Sequence, residues 1–220
     1  MRRWNGWGDD TIQYPLSARA LAFLRESVGT ATTPRDVTLA DVLATIPASR
    51  LPRLEGSELI RVNEEDRLRH ARGQSLPDWV ALRSGRIPAF PDGVSYPAAR
   101  EDVARLLAYA EKADVRVIPY GGGTSVVGHI NPQPGDRPVL TINMRRMNRF
   151  VRLDTISQLA TFGAGISGPE LEAQLRARGL TLGHFPQSFE YSTLGGWVVT
   201  RSSGQQSLGY GRIENLFAGG

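Results

Sequence analysis

The chain has 220 residues, of which 40% are hydrophobic and 22% are charged, and its mean hydropathy is −0.26; this is the composition of a globular protein with a buried core. It contains no cysteine, which excludes disulfides, thiolate metal sites and cysteine nucleophiles. No apolar run approaches the roughly 18 residues of a membrane span and no signal sequence begins the chain, so we expect a cytoplasmic protein.

The charge pattern argues against nucleic acid as a partner. The net charge is +4 and the isoelectric point is near 9.8, but acidic residues are interspersed throughout and no basic block stands alone. A nucleic-acid-binding surface would concentrate its positive charge. His70, His129 and His184 lie far apart in the sequence, so we also expect no bound metal ion.

The first part of the chain predicts helices separated by Pro and Gly. Thr38 is followed by Asp41, which is a typical helix start, and Asn63 precedes a run of acidic residues that suits the first turn of a helix. The predicted helices cover 16–28, 39–46, 63–73 and a turn that begins at Ser75. The pattern therefore predicts an all-helical extension over 1–86, with no sheet.

From residue 87 the pattern changes to strands alternating with helices. Apolar residues between Val103 and Ala110 share one side of a helix; an extended, Pro-bounded segment precedes this helix and a short β-rich run follows it. The predicted strands cover 115–118, 139–143, 150–153, 158–162 and 180–185, and a second helix covers 169–178. We predict an α+β fold in which 87–220 follows the helical extension. The Gly-, Ser- and Thr-rich stretch 180–220 has little periodicity, which we attribute to function.

The stretch PYGGGTSVVGH begins at Pro119 and follows a predicted strand. Three glycines in a row leave no Cβ between their main-chain N–H groups and a ligand, and such N–H groups form a concave anion site. Thr124 and Ser125 add hydroxyl donors. We interpret the loop as a diphosphate site; the alternative is a tight turn between strands, which rarely needs more than two glycines. On this interpretation Gly122→Val abolishes ligand binding.

A second glycine motif, GAGISG at 163–168, fits the dinucleotide fingerprint G-x-G-x-x-G. The strand predicted after it ends in Pro186 instead of the acidic residue that would hold a ribose. We therefore interpret GAGISG as a close turn between a strand and a helix, with a Rossmann site as the alternative. If it is only a packing turn, Gly168→Ala should be mild.

A third stretch, PQSFEYSTLGGWVVTRSSG at 186–204, is rich in hydroxyl side chains and carries paired glycines. It predicts a donor-rich surface with little side-chain bulk. A solvated surface loop would not explain why Trp197, Val198 and Val199 are embedded in it. Two such loops in one domain suggest a long ligand with phosphates and a polar ring system.

Together these stretches resemble the FAD-binding half of the vanillyl-alcohol-oxidase/PCMH flavoprotein superfamily. PYGGGTS, PQSFEYSTLGGWVVTRSSG and YGRIENL carry the superfamily likeness. The N-terminal RRWNGWGDD and the stretch DRLRHARGQSLPDWVALRSGRIP resemble the alkyldihydroxyacetonephosphate (alkylglycerone-phosphate) synthase family within it. Gln187 departs from the family, which usually carries Asp there.

The resemblance implies a two-subdomain FAD-binding domain over 87–220 after the helical extension at 1–86. Because the first loop carries Tyr120 and glycines instead of a histidine, it implies noncovalent FAD. The cofactor-binding residues it implies are Pro119, Tyr120, Gly121, Gly122, Gly123, Thr124, Ser125, Gln187, Ser188, Phe189, Glu190, Tyr191, Ser192, Thr193, Thr200, Arg201, Ser202 and Ser203.

The family reaction implies a flavoenzyme of ether-lipid biosynthesis that replaces the acyl chain of acyl-dihydroxyacetone phosphate with a fatty alcohol. One alternative is an FAD-linked 2-hydroxy-acid oxidase or dehydrogenase, and another is an inactive folded fragment. Family members continue well beyond ENLFAGG, where a strand is expected to start, so the catalytic residues and substrate cap are expected outside this chain. A lipid or hydroxy-acid substrate is implied for the full-length protein; membrane-surface association and a homodimer remain open.

Overall fold

The computed structural model describes residues 2–12, 15–32 and 35–220. The helices are Ala18–Val28 (α1), Leu39–Leu43 (α2), Glu64–Arg69 (α3), Leu76–Ser84 (α4), Arg100–Lys112 (α5), Gly168–Arg176 (α6), Leu194–Thr200 (α7), Ser207–Tyr210 (α8) and Ile213–Leu216 (α9), with single 3-10 turns at Ser57–Leu59 and Met144–Arg146. The strands are Ile60–Arg61 (β1), Gly93–Ser95 (β2), Arg116–Tyr120 (β3), Val139–Asn143 (β4), Phe150–Asp154 (β5) and Leu159–Phe162 (β6). The mixture of helices and sheets confirms the predicted α+β class.

The helices of the N-terminal region begin where the sequence provides caps. Before α4 the Ser75 hydroxyl oxygen accepts from the main-chain N–H of Asp78 at 3.2 Å, and Asp78 Oδ2 accepts from the main-chain N–H of Ser75 at 3.1 Å. Thr38 and Asp41 repeat this reciprocal arrangement before α2. Each arrangement satisfies two N–H groups that a helix start leaves without partners.

The main sheet has the strand order β1-β2-β4-β3, and β4 runs parallel to both of its neighbours. Helix α5 covers it, and Leu106 and Tyr109 of this helix pack against Leu140 and Ile142 of β4. Because parallel strands end at the same edge, Tyr120 of β3 lies opposite Asn143 of β4. This edge is where the glycine loop begins.

The prediction that 1–86 is all helical is wrong. Ile60 and Arg61 pair with Ser95 and Val94 in an antiparallel bridge to β2, so the first strand of the main sheet comes from this region. Leu51 also packs against the same core as α5. A strand of two residues is too short to show periodicity, which is why the sequence pattern missed it.

A second unit combines the antiparallel β5–β6 hairpin with α6, α7 and α9. Its core contains Ile166, Leu171, Leu175, Trp197 and Ile213, all buried. The embedded Trp197 therefore has a packing role, with 2% of its surface exposed.

Two predictions in this unit are wrong. Residues 180–185 form no strand, because the main-chain N–H groups of Leu182 and Gly183 donate to the buried Glu172 carboxylate at 3.0 and 3.3 Å. A strand does not start at ENLFAGG either, since Ile213–Leu216 is helical.

Within 2–12, 15–32 and 35–220, no helix combines the length and apolar character needed to cross a membrane. Over the same ranges, no three His, Asp or Glu side chains lie together as a set of metal ligands.

Candidate functional site

The glycine loop and the hydroxyl-rich stretch face each other across a cavity of about 530 Å³, which we call the cofactor cavity. One wall is formed by 119–127, at the end of β3 and in the loop that follows, and the opposite wall by residues between Ser188 and Ser202 around α7. The main sheet supplies the first wall and the second unit supplies the other. The two predicted loops are therefore brought together by the fold.

The main-chain N–H groups of 121–125 are available to a ligand. Sheet pairing ends at Tyr120, and no main-chain hydrogen bond to a described residue is donated by any residue of 121–125. Successive free N–H groups beside a cavity form the kind of concave site that binds phosphate oxygens. The alternative of an ordinary tight turn would have paired some of these groups across the turn.

The glycines are also required for contact between the two loops. A Cβ built on Gly121 would collide with the Thr193 hydroxyl, and a Cβ on Gly122 would collide with the Tyr191 carbonyl. Gly123 has φ +65°, and a Cβ there would meet the Tyr120 hydroxyl. From the sequence, the missing side chains are explained by ligand approach alone; in the structure, Thr193 and Tyr191 of the opposite loop are already in contact with Gly121 and Gly122.

The N-terminal segment holds the other side of the glycine loop, which the sequence argument missed. The Arg2 guanidinium donates to the carbonyl oxygens of Gly122 and, at 3.3 Å, of Gly123. It also lies over the Tyr191 ring, and Trp7 meets that ring edge-on at 5.1 Å. Burial lowers the pKa of Arg2. Arg2 therefore binds the carbonyl side of the glycine loop. The main-chain N–H groups of the loop, which have no main-chain acceptor among the described residues, remain available to the cavity.

The hydroxyl groups divide into those used by the protein and those available to a ligand. Ser192 donates to the Ser188 carbonyl at 2.8 Å and accepts from the Trp197 indole at 2.7 Å, and Thr200 donates to the Gly196 carbonyl at 2.7 Å. These bonds anchor α7. Within the described part of the chain, the cavity-lining hydroxyls of Thr124, Ser188 and Thr193 donate to no protein acceptor.

The structure places twelve of the eighteen predicted cofactor-binding residues on the cofactor cavity. These are Pro119, Tyr120, Gly121, Gly122, Gly123, Thr124, Ser125, Ser188, Ser192, Thr193, Thr200 and Ser202. The remaining predicted residues, Gln187, Phe189, Glu190, Tyr191, Arg201 and Ser203, are absent from its lining.

Phe189 is an example of a predicted cofactor-binding residue that does not line the cofactor cavity. Its ring packs in the core at 5.1 Å from the Phe185 ring and stacks on Trp197 at 6.3 Å. Arg201 is also structural, since it ends α7 with φ +50°. The sequence pattern could not separate these roles because core and cavity residues alternate within one short stretch.

Several lining residues were not predicted. They are Val126, Val127, His129, Ile130, Met144, Ala164, Gly195, Gly196, Trp197 and Val199. Val126, Val127 and Val199 are more than 60% exposed and still lie on the cavity, so they offer an apolar surface to a ring system. In the sequence, these three valines stand out as apolar residues within stretches that are otherwise rich in Gly, Ser and Thr.

His70 supports the edge of the sheet where the glycine loop begins. Its Nδ1 donates to the Asp66 carbonyl at 2.7 Å, and its Nε2 accepts from the Asn143 amide at 2.8 Å. Its ring also lies 4.4 Å from the Tyr120 ring. Burial, the largest cause, lowers the pKa of His70 to about 4. His70 is therefore neutral at pH 7, and its hydrogen bond with the Asn143 amide holds Asn143 beside the glycine loop.

His184 lies behind the second wall of the cavity. Its Nε2 is 2.7 Å from the hydroxyl of Ser202, and burial lowers its pKa. Its Nδ1 is buried without a partner among the described residues. Because an unpaired buried N–H costs more than an unpaired ring nitrogen, we infer that Nε2 carries the proton and donates to Ser202. The Ser202 proton is then free to point at a ligand.

GAGISG is a packing turn. β6 before it pairs only with β5 in an antiparallel hairpin, so the parallel βαβ unit of a Rossmann site is not formed here. A Cβ on Gly163 or Gly165 would collide with the carbonyl of Met147 or Met144. The expectation that Gly168→Ala is mild is contradicted, because the added methyl group would lie 2.5 Å from the Phe189 ring and 2.6 Å from the carbonyl oxygen of the same residue.

A family model described as an FAD binding domain matches residues 91–219. The chain belongs to this family of FAD-binding domains. The resemblance based on PYGGGTS and PQSFEYSTLGGWVVTRSSG is thereby confirmed, and FAD is the cofactor of this family.

The FAD domain is similar over nearly its whole length to alkyldihydroxyacetonephosphate synthases. The protein of that name from Dictyostelium discoideum is 46% identical over 150 residues, which cover 68% of this chain and 24% of that protein. The one from Trypanosoma brucei brucei is 34% identical over 245 aligned residues, covering 97% of this chain and 40% of that protein. A solved alkyldihydroxyacetonephosphate synthase superposes with a TM-score of 0.82 at 33% identity, over 97% of this chain and 46% of that one.

Weaker similarity extends to FAD-linked oxidoreductases. The mitochondrial D-lactate dehydrogenase (cytochrome) of Kluyveromyces lactis is 32% identical over 125 residues, which cover 56% of this chain and 21% of that protein. This chain thus spans less than half the length of the relatives described above.

The residues present fit FAD. Free N–H groups at 121–125 suit the two phosphates, and the available hydroxyls of Thr124, Ser188 and Thr193 suit polar ring atoms. The exposed valines suit the flat apolar faces of the rings.

Proposed function

We propose that this chain is the FAD-holding part of an enzyme that exchanges the acyl chain of acyl-dihydroxyacetone phosphate for a fatty alcohol. The observation that carries the proposal is the extent of the similarity. It covers 97% of this chain for an alkyldihydroxyacetonephosphate synthase but 56% for a D-lactate dehydrogenase.

The residues of this chain would bind and orient the cofactor. The main-chain N–H groups of 121–125 would hold the diphosphate, and the hydroxyls on both walls would orient the rest of the molecule. FAD, when bound, supplies the ring system on which the chemistry depends. We also propose that attachment is noncovalent, although His129 lies on the cavity wall with its Nδ1 3.2 Å from the Ser125 hydroxyl.

The attachment is tested by precipitating FAD-loaded protein with acid. Noncovalent FAD stays in the supernatant, whereas yellow colour that remains in the pellet would contradict the proposal. In that event a His129→Ala variant would show whether this histidine is the point of attachment.

The reaction is tested with the full-length protein. Palmitoyl-dihydroxyacetone phosphate and radiolabelled hexadecanol should give labelled alkyl-dihydroxyacetone phosphate and release palmitate. A Gly122→Ala variant serves as a control for dependence on the FAD domain. Failure to incorporate label by a protein that is saturated with FAD would refute the proposed reaction while leaving FAD binding intact.

The second candidate function is an FAD-linked 2-hydroxy-acid oxidase or dehydrogenase, favoured by the match to D-lactate dehydrogenase. Anaerobic mixing of the full-length protein with D-lactate or glycolate distinguishes the two. Bleaching of flavin absorbance supports the 2-hydroxy-acid function, and an unchanged spectrum counts against it.

The chain alone is expected to bind FAD weakly, so that it keeps little of it through purification and reaches saturation only with excess FAD, and to be inactive, because the relatives extend well beyond it. Absorbance in the flavin bands of the purified chain, before and after added FAD, measures this directly. A cytoplasmic location, membrane-surface association and a homodimer remain predictions.

A further inference from the structure

A second cavity, of about 510 Å³, lies beside the glycine loop and is lined mainly by the N-terminal segment and α3. We call it the arginine cavity. The arginines that line it are Arg2, Arg3, Arg69, Arg72 and Arg145, and the carboxylates are Glu65 and Asp66. Positive charge is therefore in excess. Neutral His70 adds none, since its pKa is lowered to about 4 by burial.

The two carboxylates are already occupied by other groups. Glu65 accepts from Arg69 at 2.8 and 2.9 Å. Asp66 accepts from the Tyr96 hydroxyl at 2.6 Å and from the Asn63 amide at 2.7 Å. Neither carboxylate therefore neutralises Arg72 or Arg145.

Arg72 is a buried cation without a hydrogen-bond partner among the described residues. Only 9% of its surface is exposed, and it makes no hydrogen bond to any described residue; its Nε and Nη2 are fully buried. The nearby acid is Asp78, but Asp78 Oδ2 accepts from Ser75 and Oδ1 accepts from the Asn131 amide at 2.7 Å. Buried charges in proteins are normally paired, because an isolated charge is costly to desolvate.

Arg145 is the second cation available on this wall. It follows Asn143 in the 3-10 turn after β4, is exposed, and its guanidinium has no hydrogen-bond partner among the described residues. Arg2 and Arg3 also line the cavity, and both donate to neutral carbonyl oxygens. A guanidinium binds oxyanions through paired N–H donors.

We propose that the arginine cavity binds a phosphate-type oxyanion through Arg72 and Arg145. The site is separate from the proposed FAD site, although Tyr120 and Gly121 line both cavities. The phosphate group could belong to free inorganic phosphate or to a small phosphate ester, because both offer the same oxygen atoms to the two guanidinium groups.

The test is the thermal unfolding midpoint of the 220-residue chain during titration with inorganic phosphate, with chloride adjusted to keep the ionic strength constant. We expect a saturable rise in the midpoint for the wild-type chain, and the same rise in the presence of FAD. Glycerol 1-phosphate is titrated in parallel; tighter binding of the ester than of inorganic phosphate would assign the site to an ester.

The Arg72→Met variant should bind phosphate at least roughly tenfold more weakly, because hydrogen bonds to a charged group are lost. Without phosphate it should unfold at the same or a higher temperature, since an uncompensated buried charge is removed. Its affinity for FAD should be unchanged. Arg152→Met, an equal charge change on the exposed β5–β6 hairpin, should keep the wild-type response to phosphate.

If the Arg72 variant does not fold, the Arg145→Met variant decides the question. The Arg145 side chain is exposed, so its loss should weaken phosphate binding without lowering the thermal unfolding midpoint of the phosphate-free chain. The proposal is overturned if phosphate stabilises the wild-type chain no more than chloride does, or if both arginine variants respond as the wild type does. Loss of FAD binding with an intact phosphate response would instead count against the proposed function alone.

Discussion

Lowering the pH from 7 to 5 should destabilise this protein through His70. The pKa of His70 is lowered from 6.5 to about 4, mainly by burial. The charges of Arg2 and Arg69 act in the same direction, whereas the hydrogen bond to the Asp66 carbonyl acts against it. Its Nε2 accepts a hydrogen bond from Asn143. Protonation would replace that acceptor with a donor and leave the Asn143 amide facing an N–H group.

The sign and size of the effect follow from the two pKa values. Between pH 6.5 and 4 the unfolded chain binds a proton at this histidine and the folded chain does not, so stability falls as the pH falls. Each unit of pKa difference corresponds to about 1.4 kcal/mol, which gives a loss of about 2 kcal/mol at pH 5 and about 3 kcal/mol at pH 4. Above pH 6.5 this contribution no longer changes.

Urea unfolding followed by tryptophan fluorescence measures the effect. The loss between pH 7 and pH 5 should be about 2 kcal/mol smaller in His70→Gln than in the wild-type chain. His129→Gln is the matched control, since it replaces an exposed histidine by the same residue. Equal pH dependence in the wild type and His70→Gln would refute the assignment of a neutral buried imidazole.

Three further predictions concern the two glycine turns and the N-terminal segment. Gly122→Ala should lower the affinity for FAD by about tenfold or more, because the added methyl group forces the glycine loop away from the Tyr191 carbonyl. Gly168→Ala should lower the free energy of unfolding by about 1–3 kcal/mol, because the methyl group overlaps Phe189. Arg2→Met should lower the affinity for FAD roughly tenfold, since two hydrogen bonds that orient the glycine loop are lost, with little change in the free energy of unfolding. Fluorescence titration with FAD and urea unfolding are the measurements.

Matched variants separate these effects from general damage. Gly209→Ala adds a methyl group with no atom within 4 Å, so it should leave both FAD affinity and stability unchanged. Arg3→Met should spare FAD affinity, because the Arg3 guanidinium donates to the Asp9 and Ile12 carbonyls instead of the glycine loop. Wild-type affinity in Gly122→Ala, or equal losses in the two arginine variants, would contradict the assigned contacts.

The sequence predicted those elements whose periodicity and caps are both strong. The predicted strands at 139–143 and 158–162 match β4 and β6 within one residue, and Thr38 and Ser75 start α2 and α4 as predicted. Local hydrogen bonds and apolar spacing decide these elements, and both are visible in a single sequence.

The elements that failed depend on partners distant in sequence. The run 180–185 looks like a strand, yet the Glu172 carboxylate takes up its main-chain N–H groups. The short helix Leu194–Thr200 contains two glycines and a β-branched run, which disfavour a helix locally, but burial of Trp197 stabilises it. Strand β1 exists only because β2 is beside it.

For the candidate site, the motifs located both loops but not the contact between them. Glycine at 121–123 was explained by a ligand, while the structure adds Tyr191 and Thr193 as immediate neighbours. The contribution of Arg2 could not be read from the sequence, because it acts on carbonyl groups about 120 residues away.

The most direct test of the central claim is the amide NMR spectrum of the chain with and without FAD. Binding of the diphosphate by main-chain N–H groups predicts that the amide signals of 121–125 shift most on addition of FAD, and that adenosine diphosphate reproduces these shifts. If those signals stay in place while the signals of GAGISG at 163–168 move, or if none of them moves at saturating FAD, the assignment of the diphosphate to the glycine loop is wrong.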